Sequence, residues 1–181
     1  MKMNQKRIDR QAGVVLVFCL VMLLLLTMLG LSGVQSTSMQ ERMARNARDV
    51  NLAFQATEAA IRDAEKFLET VNGVGPFQTA NANDNGLYLE ADFDELPNWR
   101  IDGLWEGAQV ITAPTQIPGV AVQPKYIIEY VRTATSDPDT LNIDNIGQDT
   151  GGGLVDIYRV TAYGTGGSPT SHVMIQSTYG I

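Results

Sequence analysis

A run of twenty-one uncharged residues, VVLVFCLVMLLLLTMLGLSGV from Val14 to Val34, constrains this chain more than any other feature. At 1.5 Å per residue the run makes a helix of about 31 Å, enough to cross a hydrocarbon core of roughly 30 Å. Residues 1–13 carry a net charge of +3, and basic flanks stay on the cytoplasmic side of a membrane. We therefore expect a single pass through a membrane, with a cytoplasmic N-terminus and the remainder of the chain outside.

The junction in front of this run favours one kind of membrane segment. A secretory signal peptide has a shorter apolar core of about 7–15 residues, whereas hydropathy alone leaves an uncleaved signal anchor open. Gly13 lies directly between the basic leader and Val14. This arrangement resembles a type III signal sequence, which prepilin peptidase cuts after the glycine. The resemblance implies cleavage between Gly13 and Val14, with N-methylation of Val14.

Residues 35–71 contain neither Pro nor Gly and continue the apolar run as an amphipathic helix. Apolar and small residues recur there at spacings of three and four, which predicts one apolar stripe on a helix. The stripe comprises Ala47, Val50, Phe54, Thr57, Ile61, Ala64, Leu68 and Val71, and the solvated face is expected to hold Arg48, Arg62, Asp63, Lys66 and Glu69. One helix should therefore extend from about 14 to 71, on the order of 85 Å, and Gly73 should end it.

Beyond residue 72 the chain changes from helical to strand patterns. Three segments rich in β-branched and aromatic residues predict strands at 125–133, 155–164 and 171–179, with weaker strands near 87–89 and 108–112. A sheet with one apolar face and a helix with one apolar stripe bury each other. The predicted fold class is α+β, a long N-terminal helix with a membrane-spanning first half, packed on a C-terminal antiparallel sheet. The expected segments are a leader at 1–13, a membrane helix at 14–34, its amphipathic continuation at 35–71 and a globular region at 72–181.

Composition excludes several classes of function. Residues 72–181 hold four basic and thirteen acidic side chains, a net charge of −9, which argues against binding nucleic acid through phosphates. One cysteine, Cys19, and one histidine, His172, exclude an intramolecular disulfide, a cysteine-based zinc site and a multi-histidine metal site. Cys19 is interpreted as a small apolar residue of the membrane helix. No cofactor is expected.

The remaining candidate sites each have a simpler interpretation. His172 adjoins Ser171 and, with Asp156, supplies the residue types of a catalytic triad, but no nucleophile-elbow motif is present, so a surface histidine is favoured. The acidic segment 136–149 offers oxygen ligands for Ca²⁺ without the EF-hand spacing, so a solvated loop is favoured. The glycines at 151–153 lack the Lys and Ser/Thr of a phosphate-binding loop. Trp99 and Trp105 either anchor a partner or close the loop region over the helix, and we favour the second.

Two stretches carry a specific resemblance. Residues 40–65, QERMARNARDVNLAFQATEAAIRDAE, closely resemble the N-terminal region of the PilX family of type IV pilus minor pilins, and YRVTAYGTGG…HVMIQSTY resembles that family's final hairpin. The resemblance implies a structural, non-enzymatic subunit of the inner membrane that forms a low-copy priming complex with other minor pilins at the pilus tip. It also implies the major pilin as a partner. It also implies work with a large tip-associated adhesin-like protein, in support of pilus biogenesis, twitching motility and adhesion.

One departure from the pilin pattern concerns position 18. Most type IV pilins have a glutamate at the fifth residue of the mature chain, which pairs with the N-terminal amine of a neighbour, whereas this chain has Phe18. A buried carboxylate in a bilayer is costly unless it is paired, so its loss fits a subunit near the tip. Two alternatives stay open: a minor pseudopilin of a type II secretion system, and a periplasmic binding or enzymatic domain held by a signal anchor.

Overall fold

The computed structural model describes residues 12–71, 73–78, 85–135 and 153–181. The leader residues 1–11, the acidic segment 136–149 and the glycines at 151 and 152 lie outside these ranges, and so do the predictions made for them. The chain divides into two compact units, residues 1–45 and 46–181.

A single helix, α1, covers Ala12–Thr70 and belongs to both units. In the first unit every described side chain from residue 13 to 45 is exposed, although most of residues 14–34 are large and apolar. By length and composition this helix can cross a membrane. Gly30 and Gly33 do not interrupt it, and the Thr37 hydroxyl donates a hydrogen bond to the Gly33 carbonyl one turn earlier.

The second unit contains a five-stranded sheet. Its strands are β1 (Leu87–Leu89), β2 (Ile111–Thr112), β3 (Lys125–Thr135), β4 (Leu154–Thr165) and β5 (His172–Gly180). The order is β1-β3-β4-β5, and β2 also pairs with β3. Short 3₁₀ turns lie at Gly75–Phe77 and Asn98–Arg100.

The α+β arrangement expected from the sequence is confirmed, but the sheet is mixed rather than antiparallel. β1 runs parallel to β3, with Leu87 opposite Ile128, whereas the other pairings are antiparallel. Parallel neighbours need a connection of a dozen or more residues. The chain between Leu89 and Lys125 supplies that length, and the sequence pattern of a three-residue strand gives no sign of its direction.

The helix packs on one face of the sheet through a narrower set of residues than predicted. Ala53, Ala56, Thr57, Ala60, Ala64 and Leu68 are buried, and the last three share a core with Tyr126, Ile128, Tyr158, Val160 and Ala162. By contrast, Phe54 is 45% exposed and Val50 is 49% exposed. The stripe is thus rotated toward the alanines, because small side chains let the helix approach the sheet closely.

A second, smaller core lies on the other face. Tyr88, Leu104 and Ile127 are buried together, with Trp99, Trp105 and Val110 packed against them. Ile127 falls between Tyr126 and Ile128, which face the helix, so strand alternation places it on the opposite side. The segment 98–110 therefore covers the face of the sheet that the helix leaves free.

Candidate functional site

The predicted processing junction lies in the first turns of α1. Gly13 is the second helical residue, and Val14 and Phe18 are exposed. Together with Val17 and Val21 they line one apolar surface. This surface presents hydrocarbon and backbone only, so position 18 offers no charge to a neighbouring amine.

Asp49 ties the last hairpin of the sheet to the helix. Its carboxylate accepts hydrogen bonds from the backbone N–H groups of Gly167 and Ser168, in the turn between β4 and β5. A Cβ added to Gly166 would lie 2.5 Å from the Asp49 carbonyl oxygen. The turn can therefore approach the helix only because glycine occupies this position.

Asp63 does the same for a second loop, and here the sequence interpretation was wrong. It was placed on the solvated face, but it is 6% exposed. Its carboxylate accepts hydrogen bonds from both the backbone N–H and the hydroxyl of Thr115, each at 2.9 Å. Burial, reinforced by the nearby Asp63 charge, raises the pKa of Tyr126 to about 12. The two hydrogen bonds from Thr115 to Asp63 hold the segment before β3 against the helix.

Between these two aspartates, Gly164 of β4 touches the helix backbone. A Cβ at this position would lie 2.5 Å from Thr57 Oγ1 and 2.9 Å from the Ala53 carbonyl oxygen. The buried Thr57 hydroxyl donates at 2.7 Å to that same Ala53 carbonyl, and it also lies 3.2 Å from the Val173 carbonyl oxygen of β5. Helix and sheet thus meet here almost backbone to backbone.

A buried carboxylate lies on the opposite face of the sheet. Glu129 is 1% exposed, and its Oε1 accepts a hydrogen bond of 2.9 Å from Asn98 Nδ2. In the described part of the chain its Oε2 has no hydrogen-bond partner, and Arg159 Nη1 is 3.8 Å away. Arg159 instead bonds Glu90 at 2.8 Å. Desolvation raises the pKa of Glu129, against the smaller lowering effects of Asn98 and Arg159.

The residues considered for a catalytic triad do not meet. His172 begins β5 opposite Thr165, at the end of β4, and its ring stacks on Tyr163 at 5.6 Å. On β4, Asp156 lies nine residues before Thr165, which puts it about 30 Å from His172 along the strand. There it accepts a hydrogen bond from Thr133. His172 is an exposed residue, as the simpler interpretation held.

Trp99 and Trp105 serve the second core. Trp105 Nε1 donates to the Trp99 carbonyl at 3.2 Å, and the Trp105 ring stacks on Tyr163 at 5.2 Å. They do close the loop region, but over the far face of the sheet rather than over the helix. Among the described residues, no group of three His, Cys, Asp or Glu side chains is placed to hold a metal ion.

These features together define a class of protein. A helix with an exposed apolar first part, whose later turns are tied to an open sheet, is the arrangement of a pilin. Residues 45–181 match the family described as type IV pilus assembly protein PilX C-term, and residues 12–62 match PilX N-terminal. The chain belongs to the PilX family of type IV pilus assembly proteins. No curated protein and no solved structure matches it.

The sequence carries a signal for this buried face, although hydrophobicity alone does not reveal it. Asp49 and Asp63 are fourteen residues apart, close to four helical turns, so they share a face. Ala53, Ala56 and Ala60 lie between them at the same three-and-four spacing. A stripe scored for small size, rather than for hydrophobicity, would have marked this face as the buried one.

Proposed function

We propose that this protein is a minor pilin that promotes assembly of the type IV pilus, as part of a priming complex at its tip. The observation that carries the proposal is the match to PilX regions from residue 12 to the C-terminus. The exposed apolar helix supports it, because a pilin needs such a surface first in the membrane and then among neighbouring subunits. Other minor pilins, the major pilin and a large adhesin-like tip protein are the proposed partners, and motility and adhesion follow from the pilus itself.

Its maturation is proposed to follow the pilin route. Prepilin peptidase cuts between Gly13 and Val14, Val14 is then N-methylated, and the helix spans the inner membrane once with its N-terminus in the cytoplasm. The basic leader and the exposed Val14 support this order. The mass of the mature N-terminal peptide tests it: methylated Val14 is expected, and an N-terminus at Met1 would instead favour a signal-anchored domain.

The tip position is proposed from Phe18. A subunit that enters the assembly first has no earlier neighbour whose amine it must pair with, so it has no need of a carboxylate at this depth, where an unpaired charge is costly. Immunogold labelling of intact pili tests the position. Label confined to pilus ends is expected, and label scattered along the shafts would overturn the tip assignment.

The contribution to assembly is tested by deleting the gene and counting pili per cell. We expect a marked fall that the intact chain restores. Unchanged piliation together with impaired protein secretion would favour a pseudopilin of a type II secretion system. The proposed role is structural, with no catalytic step assigned to the chain.

A further inference from the structure

The loop at residues 90–97 displays an unusual side chain. Phe93 is fully exposed, and Leu96 on the same loop is 67% exposed. Single apolar residues are common on protein surfaces, but two large ones on one short loop mark a potential contact. Asp92, Asp94 and Glu95 surround Phe93 in the sequence and are exposed as well.

The loop is anchored at its base. Asn98 Nδ2 donates to the Leu89 carbonyl and to Glu129 Oε1, both at 2.9 Å, which joins the two ends of the loop to each other and to β3. The Glu90 N–H donates to the Tyr130 carbonyl at 3.0 Å. The buried carboxylate of Glu129 thus belongs to the foundation of this loop.

The tip of the loop is a turn. The Glu95 N–H donates to the Asp92 carbonyl at 2.9 Å, so Phe93 and Asp94 occupy its two central positions. The central positions of turns favour Gly, Pro, Asn, Asp and Ser for conformational reasons. These reasons do not apply to phenylalanine. Phe93 belongs to neither core cluster. The fold therefore presents this ring on a fixed support without using it internally, and a fixed support lowers the entropic cost of binding.

We propose that the 90–97 loop docks on a different subunit of the pilus-assembly machinery, with Phe93 entering an apolar pocket rimmed by Lys or Arg. The proposal rests on the proposed function for the kind of partner. Aromatic residues are enriched at the centres of interfaces, and the three carboxylates beside Phe93 call for a basic rim.

Charge also argues against two other occupants. Residues 72–181 carry a net charge of −9, so a second copy of this chain would bring like charge to the loop. Two of the four basic residues in that range are already engaged: Arg159 with Glu90, and Lys125 with the Trp105 carbonyl. An anionic lipid surface would repel the same carboxylates.

Site-specific photo-crosslinking in cells tests the docking. A benzophenone amino acid replaces Phe93 in the full chain, and for comparison Val122, an exposed apolar residue of another loop. We expect position 93 alone to crosslink to a different pilus protein, at a residue beside an apolar pocket with basic neighbours. Crosslinking to a second copy, to lipid, equally from both positions, or from neither would overturn the proposal.

Pilus counts in matched strains supply the second measurement. Phe93→Ser, and separately the pair Asp92→Lys with Asp94→Lys, should lower pili per cell by roughly tenfold or more, because losing a central aromatic anchor or reversing the charges beside it weakens binding by at least that factor. Val122→Ser should not. Full-length protein in the membrane should remain at wild-type level, because Phe93 buries nothing within the fold.

These outcomes separate the docking proposal from the proposed function. If deleting the gene lowers piliation but Phe93→Ser and the charge-reversed pair do not, the docking surface is wrong and the proposed function stands. If deletion leaves piliation unchanged, the proposed function fails, and the crosslinked partner still decides what the loop binds.

Discussion

At the scale of single residues, two aspartates and one glutamate show how charge is used in this fold. Asp49 and Asp63 accept hydrogen bonds from loops that precede or connect strands of the sheet. Hydrogen bonds to an ionised group are among the stronger ones in proteins. Both therefore position the globular region on the helix, whereas Glu129 supports the 90–97 loop from the opposite face of the sheet.

Removing the Asp63 carboxylate should destabilise the second unit. Asp63→Ala leaves the Thr115 N–H and hydroxyl without their acceptor, at a cost of about 1.5–3 kcal/mol. Urea unfolding of the full chain in detergent, followed by tryptophan fluorescence, measures this because Trp99 and Trp105 both lie in the second core. The matched control is Asp102→Ala, at an exposed position, and an equal effect of the two substitutions would contradict the assignment.

Glu129 should make stability depend on pH. Because its pKa is raised in the folded state, the folded protein keeps a proton that the unfolded chain has already lost above about pH 4.3. Its contribution to the free energy of unfolding is therefore greatest below that pH and falls as the pH rises through the folded-state pKa. In Glu129→Gln, unfolding should depend less on pH above about pH 4.3 than in the parent chain.

The same fluorescence measurement at several pH values checks this expectation. Glu106→Gln removes an exposed carboxylate and serves as the control. If both variants retained the pH dependence of the parent, the buried carboxylate would not be its source.

At the scale of elements, the helix and the sheet meet along a seam of small residues. The alanines of α1 face β3 and β4. Gly164 has no side chain, so the backbone of β4 can approach the backbone of the helix closely. The larger apolar residues Val50 and Phe54 lie beside this seam and remain half in solvent. The close contact between helix and sheet therefore depends on small side chains at the seam and not on large apolar ones.

Truncations along the helix should follow burial rather than hydrophobicity. Leu68 is 1% exposed and packs in the main core, so Leu68→Ala should cost about 2–5 kcal/mol. Phe54 is 45% exposed although it belongs to the predicted stripe, so Phe54→Ala should cost less than about half of that. Urea midpoints of the two variants, compared with the parent, measure the difference, and the reverse order would contradict this packing.

Adding one methyl group at the seam tests its closeness. Gly164→Ala would place a Cβ 2.5 Å from Thr57 Oγ1, and such overpacking costs about 1–3 kcal/mol. Gly75→Ala is the control, because a Cβ there has no neighbour within 4 Å. Equal midpoints for the two variants would show that the helix can move away from the sheet at little cost.

At the scale of the whole molecule, the chain is organised by its N-terminal helix. The first part of the helix is a candidate membrane span, and every described side chain from residue 13 to 45 is exposed. The later turns of the helix pack against the sheet of the second unit. Membership of the PilX family is consistent with this division. The proposed cleavage between Gly13 and Val14 would separate the leader from a helix that is otherwise kept whole.

Blocking that cleavage should be specific to one glycine. Gly13→Leu should leave a precursor heavier by the leader and prevent pilus assembly, because the peptidase needs a small residue at the junction. Gly30→Leu is the matched control, since Gly30 is also a helical glycine with open space around it. Mass spectrometry of the membrane-extracted protein distinguishes the two, and a normal mature mass in Gly13→Leu would refute the junction.

The sequence by itself determined the order and type of the main elements. An uncharged run long enough for a membrane, a helix-periodic continuation without Pro or Gly, and alternating β-rich segments are local patterns, and each appears at nearly its predicted position in α1, β3, β4 and β5. Local propensity and periodicity suffice for elements of this length.

Only the tertiary structure decided which side chains those elements bury. Hydrophobicity placed the stripe on Phe54, whereas the close approach permitted by Gly164 selected the alanines beside it. Asp63 is polar and would be solvated in an isolated helix, but Thr115 satisfies its carboxylate oxygens. Residues distant in the chain also decided that β1 runs parallel to β3 and that Trp105 packs on the face of the sheet opposite the helix. Whether a side chain is buried depends on the residues that pack against it, and a local sequence pattern does not contain those residues.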